Sequence, residues 1–153
     1  MKKKLLLGIV MLVGLFTLVG CSNDVKHSAS AKLNVGENDA AIMTIDLTGG
    51  YSVEFASGAV YFYEGEPSED TLAHGFIITK EEYEEELNYF DSKEDLEGEY
   101  KKLTDGGFYY KDNSSVQYFF PSEDGYYVKV AFENIDLSEA NEIYTRFKAS
   151  KVE

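Results

Sequence analysis

From Tyr126 to Glu133, large apolar side chains fall on every second residue: Tyr126, Val128, Val130 and Phe132 alternate with Tyr127, Lys129, Ala131 and Glu133. Successive side chains of an extended chain point to opposite faces, so the pattern marks a strand with one buried face. The same alternation appears at Met43, Ile45 and Leu47, at Tyr51, Val53 and Phe55, and at Val116, Tyr118 and Phe120. Turn sequences punctuate these runs: Gly49-Gly50, Ser57-Gly58, Thr104-Asp105-Gly106-Gly107 and Ser122-Glu123-Asp124-Gly125. Shorter strands are expected at Val60–Tyr63, Phe76–Thr79, Tyr100–Leu103 and Phe108–Lys111, with a loop over Glu64–Gly75.

Two segments carry a helical period instead. Thr79-Lys80-Glu81-Glu82 has the form of a capping box, a hydroxyl and a carboxylate three residues apart that satisfy free backbone donors. After it, Tyr83, Leu87 and Phe90 share one helical face. Asp136 or Ser138 caps a second helix with Ala140, Ile143, Tyr144 and Phe147 inward, and Lys148–Val152 is a last short strand. Asp91–Gly98 fits either a further helical turn or a loop. Runs of strands with helices at two places predict the α+β class rather than a parallel βαβ design: an antiparallel β-sheet with two main helices packed on it.

The N-terminus belongs to a different kind of segment. Lys2, Lys3 and Lys4 precede Leu5–Gly20, an apolar run of 16 residues. A bilayer-spanning helix needs about 20, and polar residues follow at once, which is the anatomy of an export signal. The run closes on Leu18, Val19, Gly20 and Cys21, and Cys21 is the chain's only cysteine. These four residues resemble the lipobox of bacterial lipoproteins, with Leu three before the Cys and a small residue just before it. The resemblance implies cleavage between Gly20 and Cys21, a covalent diacylglyceryl group on the Cys21 thiol and no other cofactor. It also implies residence on the extracytoplasmic face of the cell membrane. Two acyl chains hold firmly where one is marginal, each buried methylene contributing about 0.8 kcal/mol. A secretory signal or plain membrane anchor with an incidental Cys is the alternative.

The domain organisation expected is a signal peptide over 1–20, Cys21 with a flexible polar tether to residue 40, and one domain over 41–153. Ser22–Ala40 is small and polar with no helical or strand periodicity, and 19 such residues would span about 24 Å as a coil. His27 sits in that stretch. With a single Cys, no intrachain disulfide can form, so stability rests on packing.

Charge excludes some partners. The chain holds 14 basic and 28 acidic residues; removing Lys2–Lys4 leaves 14 − 3 = 11 against 28, a net of −17. Such a surface repels nucleic acid and anionic headgroups. It suits solubility, divalent cations or basic partners.

The element order also looks like the PsbP-like fold, on the residues Gly50-Tyr51-Ser52-Val53-Glu54-Phe55 in the opening strands and Gly125-Tyr126-Tyr127-Val128-Lys129-Val130 in the closing meander, followed by an amphipathic C-terminal helix. The resemblance covers residues 41–153, rests on element order rather than on a motif, and implies an antiparallel sheet between helices with no catalytic residues.

Few residues suggest chemistry. His74 is the domain's one histidine outside the tether stretch and reads as a loop residue; a zinc site with Glu66, Glu69 and Asp70 lacks the usual His and Cys ligands. The glutamates 81, 82, 84, 85 and 86 read as a solvated helix face. A calcium loop starting at Asp91 fails at Lys93 and Leu96. There is no G-x-S-x-G, phosphate-binding glycine loop or H-E-x-x-H.

The aromatic surplus is the better clue. Phe62, Tyr109, Phe119 and Tyr127 lie opposite the strand faces read as inward. If helices cover both faces, they are core; if one face is open, they form a patch for an envelope protein, a glycan or an apolar ligand. The expected function is a membrane-anchored, non-catalytic binding or scaffolding domain of the cell envelope. The alternatives are a hydrolase using surface carboxylates and a calcium-dependent domain.

Overall fold

A computed structural model describes residues 27–56 and 58–153. Leu18, Val19, Gly20 and Cys21 lie outside the described residues. The elements in chain order are β1 (Ser28–Val35), β2 (Asp39–Asp46), β3 (Tyr51–Ala56), β4 (Ala59–Glu64), β5 (Ala73–Ile78), α1 (Lys80–Ser92), β6 (Glu99–Lys102), β7 (Phe108–Lys111), β8 (Ser115–Pro121), β9 (Tyr127–Glu133), α2 (Leu137–Ile143) and β10 (Phe147–Lys151). The fold is α+β, with every strand pair antiparallel. No helix among the described residues is long and apolar enough to cross a membrane.

The strands form two sheets rather than one, of order β1-β2-β10 and β3-β4-β5-β9-β8-β7-β6. The inward alternations predicted for β2, β3, β8 and β9 meet in a single core between them. Met43 and Ile45 of the small sheet pack with Val60, Phe62, Tyr118, Val128, Val130 and Phe132 of the large one, all fully buried. Phe147 of β10 lies between, its ring centroid 5.4 Å from that of Phe62. A Cβ on Gly75 would come within 2.8 Å of the Phe147 ring, so β5 carries glycine where the second sheet presses closest. α2 closes this core through Ala140 and Ile143. It is shorter than the sequence period predicts. The chain passes through a 3-10 turn at Tyr144–Arg146, and Phe147 is already the first residue of β10.

The opposite face of the large sheet carries α1. Its capping box forms as predicted: Glu82 N donates to Thr79 Oγ1 at 3.1 Å and Thr79 N donates to Glu82 Oε2 at 2.7 Å. The helix ends where Lys93 turns extended. Tyr83 stacks on Tyr127, and Phe90 packs on Tyr100, Tyr110 and Phe108. The Tyr83 hydroxyl donates to Gly106 O at 2.5 Å, tying the helix to the β6–β7 turn.

Two further expectations are corrected. The tether does not extend to residue 40: β1 begins at Ser28 and pairs with β2 along its whole length, so the domain starts at Ser28 rather than 41. β1 alternates Ala29, Ala31, Leu33 and Val35 against Ser28, Ser30, Lys32 and Asn34. Only Leu33 and Val35 of this edge strand are buried, and alanine carries too little apolar area to announce a strand by itself.

The aromatic face is the second. Phe62 and Tyr109 point to the inter-sheet core, whereas Phe119 and Tyr127 point to α1. Phe62, Tyr109 and Phe119 are 0%, 4% and 1% exposed, so these residues belong to two cores and form no common surface. In β4 and β7 nearly every residue is apolar, so alternation alone does not say which side chain faces which way.

The buried tyrosines make the fold sensitive to alkali. Burial, and then the bond to Glu99, pushes the Tyr109 phenol up to about 12, and burial raises Tyr83, Tyr118 and Tyr144 as well. A raised folded-state pKa favours the neutral phenol in the native state. That contribution is complete below the ordinary phenol value of about 10 and is lost as pH rises through the folded values. The urea midpoint is therefore expected to fall steadily between pH 9.5 and 11.5, with phenolate absorbance rising in step with unfolding. A midpoint flat over that range would contradict this.

Candidate functional site

α1 covers only half of its sheet face. Its ring contacts reach β6, β7, β8 and Tyr127 at the start of β9. On β4, β5 and the rest of β9 the same face is partly exposed. Register identifies its members, because residues directly opposite in a ladder share a face. Tyr61 pairs with His74, His74 with Ala131, and Ala131 with Gln117, forming one row. Phe76, Lys129 and Phe119 form the next. Of these seven, all but Phe119 are half-buried. The His74 ring meets Tyr61 edge-on at 4.9 Å. His74 is thus part of a strand and an aromatic surface, not the loop residue its sequence position suggested. Glu54 continues the row at the sheet edge, where its carboxylate accepts a bond of 3.1 Å from the Tyr63 hydroxyl.

Between this exposed half and α1 runs a groove of about 680 Å³. Ile78, Phe119 and Lys129 line it from the sheet, and Glu82, Glu85, Glu86 and Tyr89 line it from the helix. The helix residues are three or four apart and therefore share a stripe. The solvated helix face expected of the glutamate run holds for 81 and 84, but 82, 85 and 86 flank one groove. Lys129 Nζ lies 4.9 Å from the Phe119 ring centroid and 3.9 Å from Glu86 Oε1, so the groove already holds an ammonium between a ring and a carboxylate. Tyr89, 49% exposed, is the one large hydrophobic side chain so open among the described residues.

A second concavity, about 360 Å³, lies beside the β7–β8 turn. Of its three acidic residues, Asp112, Asp136 and Glu139, the first is committed to that turn, accepting from Ser115 N at 2.7 Å, Ser114 N at 2.8 Å and both seryl hydroxyls. These bonds hold its carboxyl below the usual range. Asp91 is lowered too, by Lys102 and then Tyr100. Both shifts run opposite to the rise that a carboxylic acid needs to donate a proton near neutrality. No group of three or more His, Cys, Asp or Glu among the described residues is placed to hold a metal ion.

The residues of this surface escaped sequence reasoning because α1's lateral position decides which outward side chains stay open. A usable signal was present: the outward positions of β5 and β9, His74, Phe76, Lys129 and Ala131, are less apolar than those of β7 and β8 beneath the helix. Neither a family model, nor a curated protein, nor a solved structure matches this chain.

Proposed function

We propose that the chain is a bacterial lipoprotein held by a diacylglyceryl group on Cys21 at the extracytoplasmic face of the cell membrane. In this reading its α+β domain is non-catalytic and binds another envelope component, protein or glycan, through the half-covered face of the large sheet. The observation that carries the binding role is the row Tyr61, His74, Ala131 and Gln117 beside a groove: half-buried aromatic, amide and imidazole side chains on a rigid sheet.

The corrected domain start sharpens the geometry. From Cys21 to Ser28 there are 28 − 21 = 7 residue steps, which reach at most about 25 Å. Ser28 lies opposite Asp46, at the end of the molecule where Arg146 Nη1 donates to Thr48 O at 2.7 Å. Gly36, at the far end of β1, packs near Thr79, the cap of α1. An anchor on Cys21 therefore sets the Ser28 end toward the bilayer and the start of α1 away from it, where a partner has access.

Site-directed photocrosslinking in cells tests this. A photoreactive phenylalanine at Tyr61 or Gln117 is expected to give a discrete adduct, while one at Lys148, exposed on the small sheet, gives none. Adducts from Lys148 alone, or from no position, would refute the assignment of this face.

A further inference from the structure

We propose that the groove between α1 and β9 receives a basic segment of a partner protein, a Lys or Arg side chain entering beside Glu85 and Glu86 while apolar neighbours cover Ile78. The inference rests on the reading that the half-covered face is a binding surface, and it names the chemistry of the occupant.

Three features converge on a cationic occupant. The helix wall presents Glu82, Glu85 and Glu86 against one lining cation, Lys129. Glu82 is committed to the cap of α1 and Glu86 to Lys129, whereas Glu85 forms no ion pair among the described residues. The floor is apolar and aromatic, and Lys129 over Phe119 demonstrates that an ammonium is accommodated there. At the rim stands Tyr89, a residue type that anchors protein interfaces. The net charge of −17 beyond Gly20 (11 basic against 28 acidic residues) steers a basic partner toward the molecule and turns away anionic lipids and polyanions.

The test uses the full chain in nanodiscs of neutral phosphatidylcholine, with empty nanodiscs as the blank. The probe is the fluorescent peptide acetyl-Lys-Phe-Arg-Ser-Lys-amide, and its twin with glutamate at each basic position is the control. Glu85→Gln with Glu86→Gln is expected to weaken binding about tenfold. Glu81→Gln with Glu84→Gln, an equal charge change on the same helix, is expected to weaken it less than about twofold. Lys129→Met, which removes the resident ammonium, is expected to tighten it. Both double variants keep helix-forming side chains, at exposed positions for Glu81, Glu84 and Glu85 and a half-buried one for Glu86, so folding is preserved.

Equal losses in the two double variants would mean diffuse attraction to an acidic surface and would overturn the proposal, as would binding of the acidic twin or no binding at all. If crosslinks from Tyr61 and Gln117 persist in the Glu85→Gln, Glu86→Gln protein, the face has a partner but the basic segment is refuted. If those crosslinks are absent from the wild type, the binding face itself fails.

Discussion

Tyr118→Ala is expected to cost the domain about 3–5 kcal/mol, a large part of the roughly 5–15 kcal/mol that holds a domain of this size together. Tyr118 is fully buried in the middle of β8. Its ring stacks on Tyr144 at a centroid distance of 4.2 Å and an angle of 5°, and meets Phe132 edge-on at 6.0 Å. Its hydroxyl donates to Asn141 Oδ1 at 2.7 Å, linking the large sheet to α2. Alanine would remove all three contacts and leave a cavity between elements that no disulfide can hold, since the chain has one cysteine. Tyr118→Phe separates the terms. The ring stays, Asn141 is exposed and turns to water, and the loss is expected to be about 1 kcal/mol. Urea denaturation followed by circular dichroism measures both. A loss below 1 kcal/mol for Tyr118→Ala would show that the inter-sheet core is not packed as described.

Cys21→Ala is expected to abolish lipid attachment and with it the mature membrane-bound form. An alanine offers no thiol, so no thioether to diacylglycerol forms, and the two acyl chains that make attachment firm are absent. The domain contributes nothing to replace them: a net of −17 beyond Gly20 is repelled by anionic headgroups. In fractionated cells the variant should appear either as an unprocessed precursor, retained by its apolar signal, or as a released soluble protein. A Cys21→Ala protein that remains a processed, membrane-bound species would place the anchor elsewhere.

The sequence reading succeeds where one side of an element is clearly apolar. β9 and β8 are legible from strict alternation, and α1 from its capping box and the Tyr83–Leu87–Phe90 face. It fails where local pattern does not determine the partner. Alternation in β2 and in β3 marks each as half-buried, but both bury the same kind of face, so nothing in the period assigns them to different sheets. β1 is missed because its apolar positions begin with two alanines. Tyr61 and Phe62 differ only in which way the pleat sends them, and that is fixed by pairing with His74 and Ala73. The groove is a relation between α1 and strands before and after it in the chain, so it is decided by tertiary packing. Cys21 is the reverse case: its proposed lipidation rests on the local motif with Leu18, Val19 and Gly20, and the fold adds only the number of residues that separate Cys21 from Ser28.

The central claim is that Cys21 becomes the lipidated first residue of a domain held close to the bilayer. Intact-mass and N-terminal peptide mass spectrometry of the protein extracted from membranes tests it most directly. The expected species is a chain beginning at Cys21 that carries the added mass of a diacylglyceryl group on that residue. A membrane-extracted chain that begins elsewhere, or begins at Cys21 with a free thiol, would contradict it.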